Sequence, residues 1–200
     1  MHDVLIVGAG AAGLSCALVL GSAKPKPFAA DKRIGLIAHQ RTSHLQNAVF
    51  NNVLGLEAGT LGADILVQGK SQLAALYPHV NQIAHEKVNS IVKSSEGFRV
   101  STNKATYISK LVVIAVGYTN LITIEGLEPY IEAHPKAAPA KERIWLKNEN
   151  HLVAPGLFVA GTLAGLRSQY AIACGSGAQV ATDILTLWND GKDTHVHDKI

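Results

Sequence analysis

Two stretches of the chain are apolar without interruption. Residues 4–7 (Val-Leu-Ile-Val) and 111–116 (Leu-Val-Val-Ile-Ala-Val) have the pattern of strands covered on both faces of a parallel sheet. Residues 33–38 (Arg-Ile-Gly-Leu-Ile-Ala) predict a second parallel strand, completing a β-α-β unit, and 157–160 a third, short buried one that ends in Gly161. Elsewhere the period changes. A strand near 84–88 leads to a hairpin opening at 90–93 and turning at Gly97, after which 98–102 and 106–108 alternate as antiparallel strands do. Helical spacing marks residues 11–20, 62–77 with Ile65, Leu66, Leu73 and Leu76 near one face, and 169–187. Residues 143–146 fit a short strand. The remainder reads as loop: 21–31, 42–62 with its turn residues, the Pro/Ala/Lys stretch 133–141, and a charged, fraying tail over 189–200. Residues 1–188 are expected to form a single domain.

The turn between the first strand and the first helix carries Gly8, Gly10 and Gly13 in G-x-G-x-x-G spacing, with Ala11 and Ala12 between the last two. Gly8 permits the sharp exit from the strand, Gly10 lets a pyrophosphate approach the backbone, and Gly13 lets the helix lie close to the sheet. Phosphates would sit on the free N–H groups of the helix start, where the dipole favours negative charge. Glycine-rich turns are common; the strand before and the helix after supply the context a dinucleotide motif needs.

Composition narrows the classes. Of 200 residues, 48% are hydrophobic and 16% charged, which describes a well-buried globular chain and excludes a disordered one. The formal charge of +3 is mild, and Lys and Arg are scattered, so no basic run points to nucleic acid. No apolar run is long enough to span a bilayer, and the first strand starts too early for a leader. Cys16 and Cys174 form no C-x-x-C, and each is expected as a small buried hydrophobe on a helix face. A reducing, cytoplasmic location fits. His195 and His197 belong to a solvated tail, and no metal site is expected.

A dinucleotide-binding unit usually places Asp or Glu at the end of its second strand to hold the adenosine ribose. Here that strand runs out in Ala38-His39-Gln40-Arg41, and Asp31 lies at the wrong end. His39 and Gln40 are candidate donors to ribose or phosphate and Arg41 a candidate phosphate partner, with an ordinary polar loop as the equal alternative.

Four blocks in order make the chain resemble the FAD domain of the thioredoxin reductase-like flavoproteins, in the pyridine nucleotide-disulfide oxidoreductase superfamily. They are Gly8 to Gly13; the loop ending Phe50-Asn51-Asn52-Val53-Leu54-Gly55; Val113-Ile114-Ala115-Val116-Gly117, with Val116 where the family has Thr; and the closing block. The closing block runs from Ala154 through Gly161-Thr162, then Arg167-Ser168-Gln169-Tyr170 and Cys174-Gly175-Ser176-Gly177. The family has Asp where this chain has Thr162. It also inserts an NADPH-binding domain between the third and fourth blocks, for which residues 118–150 are far too few; a second glycine motif and a C-x-x-C are missing.

The resemblance implies an α/β fold of Rossmann type in three ββα layers, a central parallel sheet carrying an antiparallel β-meander. It implies FAD as cofactor, with the pyrophosphate over Gly8, Gly10, Ala11, Ala12 and Gly13. Asn47 and Asn52 would face the cofactor, the backbone of Lys87 and Val88 the adenine, and Ala115, Val116 and Gly117 the third side of the site. Gly161 and Thr162 would face the ribityl chain or phosphate, and Gln169 and Tyr170 the isoalloxazine. The start of the last helix would stabilise negative charge on the reduced ring. The implied function is an FAD-dependent oxidoreductase reduced to its flavin domain, taking electrons from free NAD(P)H, a substrate or a partner redox protein. Other readings are a non-enzymatic FAD-binding module, an NAD-dependent dehydrogenase, or a subunit completed by a second chain; relatives often form homodimers. No catalytic acid–base pair stands out. Tyr170 and His44 are candidates by position, with aromatic packing the favoured role for Tyr170.

Overall fold

A computed structural model describes residues 1–39, 44–119, 123–194 and 196–197. The first half runs β1 (His2–Val7), α1 (Ala11–Ser22), β2 (Ile34–Ala38), β3 (Val49–Phe50), β4 (Thr60–Leu61), α2 (Gly62–Leu76) and β5 (Asn81–Ala84). Then come β6 (Val88–Ser94), β7 (Gly97–Thr102) and β8 (Thr106–Ile114). The last part holds β9 (Ile131–Ala133), β10 (Ile144–Leu146), β11 (Leu152–Ala154), β12 (Leu157–Val159) and α3 (Tyr170–Trp188).

The main sheet has the order β11-β12-β8-β1-β2-β5, and β6 and β7 extend from β8 as an antiparallel meander. β1 sits between parallel neighbours, with Val4 opposite Ile34 on one side and Leu111 on the other. Its unbroken apolar run follows from the cover on both faces. Val4 and Ile6 join Leu36, Val113 and Phe158 against the helices. Leu5 and Val7 join Ile37, Val112, Ile114 and Leu157 against the meander. Alternation along each strand therefore feeds two cores, and the three-layer α/β expectation holds.

Several sequence expectations shift. Residues 106–108 and 111–114 belong to one strand, β8, antiparallel to β7 through Phe98–Ser109 and parallel to β1 from His2–Ser109 onward, and Ala115 and Val116 lie just past its end. Ser109 does not interrupt it, because its buried hydroxyl donates to the Leu111 carbonyl at 2.7 Å. The strand expected at 84–88 is in fact a break. The chain leaves β5 through His85, at φ 61°, and re-enters as β6. Buried Glu86 holds that corner by accepting from Thr102 Oγ1 at 2.6 Å and from the Tyr107 hydroxyl at 2.9 Å. On α2, Leu66 and Leu73 are buried but Leu76 is 58% exposed. The described part of the 42–62 loop contains a 3-10 turn (His44–Asn47) and the β3–β4 hairpin.

Between residues 118 and 150 the described residues hold a short antiparallel ribbon, β9 with β10, and two 3-10 turns (Glu128–Tyr130 and Pro139–Lys141). Ile124, Leu127 and Leu146 seal the meander-side core. The described part of the tail does not stand free: Thr194 is buried and accepts from Asn189 Nδ2 at 3.0 Å, and Val196 packs on the helical core. His195, on the same tail, lies outside the described residues.

Candidate dinucleotide site

The chain passes from β1 to β2 on one side and reaches β8 and β12 on the other. Ligands of open α/β sheets bind at the carboxyl ends of strands where the order reverses in this way. Four strand ends meet there. The Gly8 amide donates to Ile37 O at 2.9 Å, the Ala115 amide to Val7 O at 2.8 Å, and the Ala160 amide to Ile114 O at 2.9 Å. Gly8 takes φ 109°, and a Cβ on it would stand 2.5 Å from the Ala115 carbonyl oxygen. A Cβ on Gly13 would stand 1.8 Å from Gly8 O, so α1 lies directly on the turn. Gly10 is different: a Cβ there would meet nothing within 4 Å. It is the N-cap of α1, with no side-chain cap and no acidic residue in the first turn. The N–H groups that open a helix lack internal partners. The result is an open, uncapped, positively polarised cradle that a dinucleotide pyrophosphate fits.

The opposite wall is the turn after β12 together with α3. Gly161, at φ 78°, puts its Cβ position 3.1 Å from Ala12 Cβ. Its amide donates to the buried Ser176 Oγ at 2.8 Å. One residue on, a Cβ at Gly177 would fall 1.9 Å from Ala12 O. Glycines at both positions therefore let α1, α3 and the second turn close on one another. Thr162, half-buried, follows Gly161, and its carbonyl accepts from His134 Nε2 at 3.1 Å. His134 Nδ1 accepts the Lys136 amide at 3.1 Å, which fixes the proton on Nε2.

At the start of α3, Gln169 is the exposed N-cap and makes no side-chain cap. Tyr170 leans on Phe50, ring centroids 5.1 Å apart, so the β3–β4 hairpin is pinned to the helix start. Burial, then the hydrogen bond and charge of Cys174 one turn along, push the Tyr170 phenol up to about 12. Tyr170 therefore stays protonated at neutral pH. Of the two cysteines, Cys16 is buried as expected and Cys174 is not. Cys16 is fully buried and burial pushes its thiol up; Cys174 is only half-buried and interacts with Tyr170.

A cleft of about 160 Å³ adjoins the cradle at the end of β2, lined by Ala9, Ala38, Gln46, Ala63, Leu66, Val67 and Lys70. Residues 63, 66, 67 and 70 are one face of α2. The cleft is apolar with one amide and one ammonium, and among the described residues no carboxylate lines it. Gln46 and Lys70 were not singled out from sequence, although the 63-66-67-70 spacing was there to be read.

The structure thus brings Gly8, Gly10, Ala11, Ala12, Gly13, Ala115, Val116 and Gly161 together at one edge, with Gly117 and Thr162 next along the chain, while Tyr170 opens α3 against Phe50. His39 follows β2 and is exposed, as are Asn47 and Asn52; Asn51, beside Asn52, accepts the Gly59 amide at 2.8 Å. Lys87 has its amide on Asn103 Oδ1 at 2.8 Å and its carbonyl on the Asn103 amide at 2.9 Å, so its N–H is already engaged. Val88 begins β6 and is buried. Gln40, Arg41 and the His44 side chain lie outside the described residues.

A three-layer α/β sheet with one glycine cradle at its reversal point defines a dinucleotide-fold domain. The sequence matches the family described as pyridine nucleotide-disulphide oxidoreductase over residues 2–173, and the chain belongs to that family. Solved structures share the fold. An oxidoreductase from Agrobacterium tumefaciens aligns at TM-score 0.75 and 15% identity, covering 94% of this chain and 99% of that one. A thioredoxin reductase from Gloeobacter violaceus aligns at 0.75 and 13%, covering 98% of each. A ferredoxin-flavin thioredoxin reductase from Clostridium acetobutylicum aligns at 0.68 and 18%, covering 94% and 98%. A comparison with curated proteins gives no match. Among the described residues no helix is long and apolar enough to cross a membrane.

Proposed function

We propose that the chain is an FAD-dependent oxidoreductase of the thioredoxin reductase-like type, confined to its flavin domain. The observation that carries this is the cradle: Gly8, Gly13 and Gly177 have no room for a side chain, whereas Gly10 opens on free space at an uncapped helix start. In this reading the first amides of α1, from Ala11 to Gly13, hold the pyrophosphate. Gly161 and Thr162 face the ribityl side, with Ala115, Val116 and Gly117 behind it. Asn47, Asn52 and Gln169 approach from the exposed rim, His39, Gln40 and Arg41 from the end of β2, and Lys87 and Val88 from the adenine side. Phe50 and Tyr170 cover the ring from one side and exclude water. The α3 dipole favours negative charge at its start. Bound FAD supplies hydride and single-electron transfer, which is the cofactor's own chemistry. Tyr170, kept protonated, donates a hydrogen bond and is not a base.

The span 118–150 is too short for a nucleotide domain, and in this reading the electrons come from free NAD(P)H, the substrate or a partner redox protein; the Clostridium relative is named for a ferredoxin. The same reading takes the protein as cytoplasmic, with a second copy as a candidate cover for its exposed surface. One observation favours a non-enzymatic FAD-binding module instead: no carboxylate lines the β2 cleft, and Thr162 has replaced the family's Asp. Reconstitution with FAD followed by anaerobic titration with NADPH, NADH and reduced ferredoxin separates the two. Bleaching of the flavin band by one donor within seconds supports the enzyme; a flavin that binds and stays oxidised with all three leaves the module.

A further inference from the structure

The ribbon that follows β8 holds an arginine that has no acidic partner among the described residues. Arg143 lies over the ring of Tyr118, its guanidinium carbon 5.0 Å from the ring centroid. Tyr118 comes one residue after Gly117, at the rim of the cradle. The backbone fixes the pair: Ile144 N–H donates to Tyr118 O at 3.0 Å, and His134 N–H donates to Arg143 O at 2.8 Å. The ring of His134 stands edge-on to Tyr118 at 5.3 Å and 70°, and its Nε2 reaches the Thr162 carbonyl. Arg143, Tyr118 and His134 are thereby tied to the turn that faces α1. Yet Arg143 Nε is buried with no acceptor. Among the described residues the ion pairs are Lys110–Asp3 and Lys147–Glu132, and neither involves Arg143. A buried donor on a charged group left unpaired is costly and calls for an explanation. A guanidinium stacked on a ring presents a planar fork suited to carboxylate or phosphate.

We propose that Arg143, held over Tyr118, binds an oxyanion of the small molecule that reacts at this site. This rests on the flavin reading for the reaction but not for the binding. The ligand class is a small carboxylate or phosphate ester, and a nicotinamide nucleotide is one source of such a group.

The test is isothermal titration of the FAD-loaded and FAD-free chain with inorganic phosphate, acetate and NADPH in turn. The proposal expects saturable binding of at least one probe by the wild-type chain. Arg143→Gln weakens that binding about tenfold or more, the size of one charge-assisted hydrogen bond. Arg143→Lys, which keeps the charge and is the safer variant for folding, recovers only part of it. Phosphate and NADPH weakening together identify a phosphate ester; acetate alone identifies a carboxylate. Melting temperature and FAD uptake, followed by absorbance on the same samples, control for folding. No saturable binding of any probe, or equal binding by wild type and both variants, overturns the proposal. Because the FAD-free chain is titrated too, a protein that takes up no added FAD yet binds phosphate through Arg143 refutes the flavin reading and leaves this one standing.

Discussion

Gly10→Ala should separate folding from cofactor binding. At φ −84° and ψ −168° Gly10 has a backbone that alanine adopts without strain, and the new methyl meets nothing within 4 Å. Two small effects oppose each other. Lost freedom in the unfolded chain stabilises by about 0.4–1 kcal/mol. Alanine is a poorer N-cap than glycine, which costs a similar amount. The net change in stability is expected within about 1 kcal/mol, or roughly 2–4 °C in Tm for a chain of this size. Binding behaves otherwise, because the methyl enters the space through which a pyrophosphate reaches the α1 amides. Losing one hydrogen bond to a charged oxygen costs about 1.5–3 kcal/mol, a weakening of roughly ten- to a hundredfold. Gly13→Ala is the control with the opposite signature. Its methyl would stand 1.8 Å from Gly8 O, so α1 must move off the turn, an overpacking cost of about 1–3 kcal/mol or more. FAD fluorescence quenching gives Kd and urea unfolding gives stability. If Gly10→Ala binds FAD within about twofold of wild type, the pyrophosphate does not lie over Gly10 and the reasoning fails.

Three further outcomes are expected. Ser176→Ala leaves the buried Gly161 amide without its acceptor and should cost about 1–3 kcal/mol by urea unfolding; an unchanged midpoint would show that the amide finds another partner. Tyr170 should ionise near pH 12 in an absorbance titration at 295 nm, and Tyr170→Phe should remove that late component. Since its phenol is raised in the folded state, the unfolded chain loses this proton first, and stability falls as pH rises above about 10. Asp3 is buried enough to favour its neutral form, but the Arg33 amide and Lys110 outweigh that and hold its carboxyl below the ordinary value. Its contribution is present above the unfolded value of about 3.9 and is lost as pH falls through the folded one. Asp3→Asn should therefore flatten the acid limb of a stability–pH curve, and an equally steep limb would contradict the assignment.

The layers of the fold were legible because two-face burial leaves an unmistakable trace. The runs at 4–7 and 111–116 have no polar residue to dilute them, and the glycine spacing at 8, 10 and 13 states its own geometry. Boundaries were less legible wherever a polar side chain is satisfied locally. Ser109 looks like a break until its hydroxyl is seen bonding Leu111 O, and residues 84–88 look like a strand until buried Glu86 is seen bonding Thr102 and Tyr107. Such partners lie many residues away along the chain, and no local pattern encodes them. The site shows the same division. Gly161 and Thr162 were found from a motif, but the His134 bond to Thr162 joins segments 28 residues apart. The Lys70 cleft depends on how α2 packs over Ala9 and Ala38. Cys174 is more exposed than helical periodicity suggests, since it lies only one turn from the start of α3.

The central claim is that the single glycine cradle holds FAD. The most direct measurement is the visible absorption spectrum of the freshly purified protein, with heat release and identification of the chromophore. A two-band flavin spectrum is expected, with FAD as the released compound, either on purification or after incubation with added FAD. A protein that is colourless and takes up no added FAD would contradict it.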